Sequence, residues 1–311
     1  MVTHNAVAVS ASRPQSTSAA KPIVEFADWK PRRGIKWGPV FRHIVLLIFT
    51  LVVLLPLGWV VIRSIISLPD GTHNAILPQN WADPIYKHYQ WIYDKRPDAR
   101  VAFKNSVKVS LMTVVLTTVT AVLAGYALSH LATPMKRVIT GFLVASLFFP
   151  TRVTAITGIY EVQKSLGFVN KTWALTFPYA ALNVAVCIFI MRGVFETVSK
   201  EIVDAARIDG AGSLRLLLGI LLPIIKNGIV VVVIVSFVAA WGEFLLALTL
   251  MNDASRRTLP VFLASASGGV GGLLWPRIAA LYIMAIVPGL VVFGIAQRWY
   301  TKGLQEGALK A

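Results

Sequence analysis

Uninterrupted apolar runs constrain this chain more than any other feature. "IVLLIFTLVVLLPLGWVV", Ile44 to Val61, carries no charge over eighteen residues. At about 1.5 Å per residue such a helix covers most of the ~30 Å of hydrocarbon in a bilayer. Comparable windows lie near 41–62, 106–130, 138–160, 172–195, 226–250 and 278–297. They predict six transmembrane helices and an all-α membrane protein. The strands of a membrane barrel would alternate apolar and polar residues over ~10 positions, and these windows do not. Composition agrees: 56 % of the 311 residues are hydrophobic, 14 % are charged, and the mean hydropathy is +0.68.

The first forty residues read as a small, polar, disordered tail that becomes basic at "KPRRGIKW", without the apolar core of a cleaved signal. A membrane domain over 41–300 and a short tail over 301–311 follow. With both termini in the cytoplasm, the cytoplasmic segments hold the larger share of Lys and Arg, as the positive-inside rule requires. The outer loop 63–105, rich in Trp and Tyr, is long enough to form small helices. The net charge of +16 is spread along the flanks of the spans, a pattern that suits anionic membrane lipid and not nucleic acid.

Residues for catalysis are scarce. Cys187 is the single cysteine, the five histidines make no helical His-x-x-x-His pair, and no Gly-x-Ser-x-Gly elbow occurs, so neither a metal site nor a nucleophile is expected. The dipeptide Gly-Lys is absent, which leaves no phosphate-cradling loop. The chain is expected to be non-enzymatic and to bind no cofactor. Of the charges within the apolar windows, two call for explanation because burial there is costly, Arg152 after Pro150 and Glu243 in "AAWGEFLL". Each is either a lining of a solute path or an interhelical or snorkelling side chain. Trp241 and Trp275 lie near proposed span ends, as interfacial aromatics do.

Between two apolar windows stands "EIVDAARIDGAG", Glu201 to Gly212, with three carboxylates and two glycines. Ser199 can cap a short helix, Glu201 favours its first turn, and Gly210 and Gly212 end it. Asp204 and Arg207 are spaced to pair. Ala205 and Ala206 would let another protein approach the backbone. The stretch is either an interfacial connector or a docking helix.

"EIVDAARIDGA" followed by "LLP" resembles the cytoplasmic EAA loop of permease subunits of ATP-binding cassette (ABC) importers. "QKSLGFVNKTWALTFPYA", "WGEFLLALTL", "RTLP" and "QRWYTKGLQEGALK" are similar to the second permease of maltose-type systems, over about 100–311. The resemblance implies the six-helix, MetI-like fold of binding-protein-dependent ABC importers in a bacterial inner membrane, with a core at 100–300, a coupling loop at 196–223 and an outer loop at 251–277. It implies one half of a heterodimeric pore that moves a sugar or related polyol by alternating access. The partners would be a second permease, an ABC ATPase dimer holding ATP and Mg, and an extracytoplasmic solute-binding protein.

Carried over residue by residue, Glu201, Asp204, Ala205, Ala206, Asp209 and Gly210 occupy the ATPase-coupling motif. Ser267, Gly268, Gly269, Gly271, Gly272 and Trp275 occupy the loop that meets the binding protein. Asp204 stands where glutamate is usual, Ser199 where proline is common, and Leu217 where phenylalanine is frequent; these departures bear on which ATPase surface is matched. The alternatives are an ion-coupled secondary transporter, which needs no ATPase, and an ABC permease for a non-sugar solute such as glycerol phosphate.

Overall fold

The computed structural model describes residues 37–66, 86–148, 154–267 and 274–308, and all regular structure among them is helical. The described residues up to Val52 fall in one unit and those from Val53 in a second. The described part of the first unit is the opening of α1 (Trp37–Ile65), whose apolar side chains from Phe41 onward are exposed. Hydrocarbon, not water, is the solvent such a surface tolerates.

In the second unit the chain runs through α2 (Lys87–Lys95), α3 (Pro97–His130), α4 (Lys136–Phe148), α5 (Ile156–Ser165) and α6 (Thr176–Glu196). It continues through α7 (Lys200–Ile208), α8 (Ser213–Ile224), α9 (Lys226–Trp241), α10 (Leu245–Leu250), α11 (Leu259–Ser267) and α12 (Trp275–Ala308). Helix α2 falls in the loop where small helices were expected. Proline at N1 suits the start of α3, because its missing N–H has no partner to lose there.

The described residues of the six predicted windows are mostly helical. Among the described residues four helices are long and apolar enough to cross a membrane, Phe41–Ile65, Pro97–His130, Thr172–Glu196 and Trp275–Gln297, and the bent pair Ser213–Ile224 with Lys226–Trp241 would make a fifth if it is one span. The 138–160 window divides between α4 and α5, with residues 149–153, including Arg152, outside the described residues. The 226–250 window holds α9 and α10, and α9 meets α8 at a bend of 82°.

Helix α3 packs most extensively on α6 and next on α9. Glycines permit close approach of α3 to α6 and of α9 to α6. A Cβ on Gly125 of α3 would stand 2.8 Å from Cβ of Met191 on α6, and one on Gly228 of α9 would stand 2.5 Å from Val194 Cγ1. Three apolar clusters follow along α3: around Ala102 with α2, α11 and α12, around Val109 with α6 and α10, and around Tyr126 with α6, α7 and α8. The last cluster carries the coupling segment.

Candidate functional site

The candidate coupling segment, Glu201 to Gly212, is built on α7. Ser199 takes the extended backbone of an N-cap (φ −62°, ψ 141°), but its hydroxyl makes no capping bond. The helix instead gains its definition at the other end. Gly210 adopts φ +79°, its N–H donates to the Arg207 carbonyl at 3.0 Å, and the Ala211 N–H donates to the Ala206 carbonyl at 2.9 Å. This left-handed closure satisfies carbonyls that a helix terminus otherwise leaves open. A glycine is favoured there because a Cβ penalises positive φ.

The closure fixes which face of α7 looks out. Val203 and Ala206 are buried in the cluster formed by Tyr126, Phe195, Leu216 and Leu217, whereas Glu201, Asp204, Ala205, Asp209 and Gly210 are exposed. The alanine pair is therefore split. Only Ala205 offers its small side chain to an approaching surface, while Ala206 seats the helix on its own chain. That corrects the expectation for Ala206, because residues three apart, such as Val203 and Ala206, share one helical face. Leu217, at the position where phenylalanine is frequent, is buried too.

Asp204 and Arg207 do not form the expected pair. The Arg207 Nη2 donates instead to the His130 carbonyl at 2.8 Å. That carbonyl belongs to the last residue of α3, where the helix dipole attracts a cation. Tyr126, one turn earlier, donates its hydroxyl to the Ser213 carbonyl at 3.0 Å. The rings of Tyr126, His130 and Phe195 lie 5.8 Å apart pairwise. Helix α7 and the start of α8 are thus tied to the ends of α3 and α6. Within α8, Leu216–Leu221 is wound as a π-helix, the irregular form that recurs at functional positions.

Two exposed apolar residues escaped the sequence reading. Ile208 is 86 % exposed and Leu214 is 68 % exposed, flanking the Asp209–Gly212 turn. Their sequence signal is an apolar side chain on each side of "DGAG", where a solvated turn would carry polar ones.

Glu243 sits between α9 and α10 and not within a helix. Its Oε1 accepts the Leu246 N–H at 3.1 Å and its Oε2 the Ala247 N–H at 3.2 Å, so the carboxylate caps α10. Trp241 is equally tied inward. Its Nε1 donates to the Ala285 carbonyl at 2.9 Å, and its ring stacks on Phe237 at 5.6 Å. It packs α9 on α12 rather than marking an interface. Ser267 ends α11 with its Oγ bonded to the Leu263 carbonyl at 2.9 Å, and Trp275 opens α12 with 64 % of its surface exposed. Gly268, Gly269, Gly271 and Gly272 lie outside the described residues, as does Arg152.

A family described as "Binding-protein-dependent transport system inner membrane component" matches residues 117–306. The sulfoquinovosyl glycerol transport system permease of Agrobacterium fabrum is 31 % identical over 275 residues, which cover 88 % of this chain and 94 % of the relative. The trehalose/maltose transport system permease of Thermococcus litoralis is 26 % identical, over 87 % of this chain and 98 % of its own. A chain from the crystal structure of a bacterial ABC transporter that imports the acidic polysaccharide alginate shares the fold, with a TM-score of 0.73 and 20 % identity over 90 % of this chain and 100 % of that one.

Proposed function

We propose a role for this chain from one premise: it belongs to the family of binding-protein-dependent transport system inner membrane components. It is the permease subunit of an ABC importer, and the ion-coupled alternative is not favoured. The solute is a sugar or related polyol, in line with the carbohydrate named for the similar permeases. The chain forms one half of a pore with a second permease. It receives solute from an extracytoplasmic binding protein and leaves ATP hydrolysis to a separate ATPase pair, having no catalytic role itself. Both termini face the cytoplasm. The glycine-rich loop from Ser267 to Gly272, with Trp275 as its anchor, meets the binding protein.

The observation that supports this best is the two-sided character of α7. One side is locked to α3 and α6 through Val203, Ala206 and the Arg207 bond, while the other presents Glu201, Asp204, Ala205 and Asp209 with Ile208 beside them. A connector needs no such division. A rigid docking element does, because movement of an ATPase seated on the outward side would pass to the spans without dissipating in the loop. Glu243 serves as a helix cap, and of the two charged residues Arg152 is the candidate for the solute path.

Reconstitution tests this reading. In proteoliposomes holding both permeases and the ATPase, labelled sugar should accumulate only with ATP on the ATPase side and binding protein on the other. Accumulation driven by an ion gradient, with the ATPase left out, would instead establish a secondary transporter.

A further inference from the structure

Three basic side chains converge where no acid joins them. Lys108 of α3, Lys171 of the segment between α5 and α6, and Arg256 of the turn after α10 line one cavity of about 270 Å³. The rest of its wall is Asn105, Asn170, Thr172 and Trp173. Among the described residues none of the three cations takes part in an ion pair. Lys108, Lys171 and Arg256 are each exposed, so their charged groups are open to a ligand entering from outside.

The cavity is built rather than incidental. The Asn105 Nδ2 donates to the carbonyls of Ser255 (3.1 Å) and Arg257 (3.0 Å), and the Thr172 hydroxyl donates to the Arg256 carbonyl at 3.3 Å. Asn170, held at φ +62°, accepts the N–H groups of Asn252 (2.7 Å) and Asp253 (3.1 Å) on its Oδ1, which leaves its Nδ2 to donate elsewhere. Trp173 is braced edge-on by Phe168 at 5.0 Å and by Phe177 at 6.0 Å. Lys108 is 22 residues from His130, so the cavity stands about 33 Å along α3 from the coupling segment. On the importer reading this is the extracytoplasmic end.

We propose that the cavity binds the acid group of an anionic sugar, the ammonium and guanidinium groups taking its oxyanion while the amides and the Trp173 ring take the hydroxyls and the apolar sugar face. The proposal rests on the importer reading and narrows its solute class. An anionic lipid headgroup shares the oxyanion chemistry, but it does not need the aromatic wall.

The test is equilibrium binding of labelled glucuronate and labelled glucose to the transporter assembled with its partner permease and ATPase, in phosphatidylcholine nanodiscs. Glucuronate should bind saturably and at least tenfold more tightly than glucose, and should weaken as salt is raised. The double substitution Lys108→Gln, Arg256→Gln should lower glucuronate affinity tenfold or more without shifting thermal unfolding, and Lys108→Arg should retain it. Equal binding of the two sugars, or no effect of the double substitution, would overturn the proposal. So would nanodiscs containing phosphatidylglycerol in which that lipid is retained at the site and glucuronate binds in neither membrane. ATP-dependent uptake by the unaltered transporter, measured in parallel, separates failure of the cavity from failure of the importer reading.

Discussion

Gly210 shows how one backbone dihedral shapes the coupling segment. At φ +79° a Cβ would meet nothing within 4 Å, so substitution there is penalised by the backbone and not by a neighbour. Gly210→Ala should cost about 1 kcal/mol of local stability. Binding-protein-stimulated ATP hydrolysis should fall severalfold, whereas Gly294→Ala in α12, also in open space but without a positive φ, should leave it unchanged. Wild-type stimulation in both variants would show that the closure of α7 is not needed for coupling. Glu243 makes the opposite case, a charge in an apolar window with a structural use. Removing its cap with Glu243→Ala should cost about 1 kcal/mol and leave the KM for sugar uptake unaltered. A raised KM with unchanged thermal unfolding would place the carboxylate in the solute path. The cap was not legible beforehand, because "WGEFLLAL" reads as unbroken apolar sequence and the turn at Gly242–Phe244 is set by tertiary contacts such as Trp241 with Ala285.

At the scale of elements, sequence periodicity located helices well and their breaks poorly. Length and hydropathy found the four helices that are long and apolar enough to span, since hydrocarbon demands both, whereas the 138–160 and 226–250 windows hold shorter helices among the described residues. The same two signals began a window at 226, where α9 follows α8, but could not give the 82° angle of that bend, because apolar residues continue through Leu221, Leu222 and Ile224. The short α7 was legible from its glycine stop, but its orientation was not, because residues three apart predicted an Asp204–Arg207 pair while the carbonyl end of α3 held the stronger claim on the guanidinium. The tethers between α7, α8 and α3 carry a clear expectation. Tyr126→Phe removes one hydrogen bond, worth about 1 kcal/mol, and Arg207→Gln shortens the reach to His130. Combined, they should lower solute moved per ATP hydrolysed while basal hydrolysis and subunit assembly persist. An unchanged ratio would mean that the apolar contacts of Val203 and Ala206 suffice.

At the scale of the whole molecule, the candidate coupling segment and the basic cavity lie at opposite ends of α3, which on the proposed topology are on opposite sides of the membrane. In a Cys187→Ser background, Ser213→Cys should be shielded from an impermeant thiol reagent added outside intact cells, and Ser165→Cys should react. The reverse pattern would invert the topology. The central claim is that the exposed side of α7 is seated on an ATPase, and site-specific photo-cross-linking in the assembled transporter tests it most directly. A photoreactive amino acid replacing Asp204 or Ile208 should give an adduct of this chain with the ATPase subunit, stronger when ATP is bound, and one replacing Ser165 should give none. Absence of that adduct from Asp204 and Ile208 in a complex that still transports sugar would contradict the account.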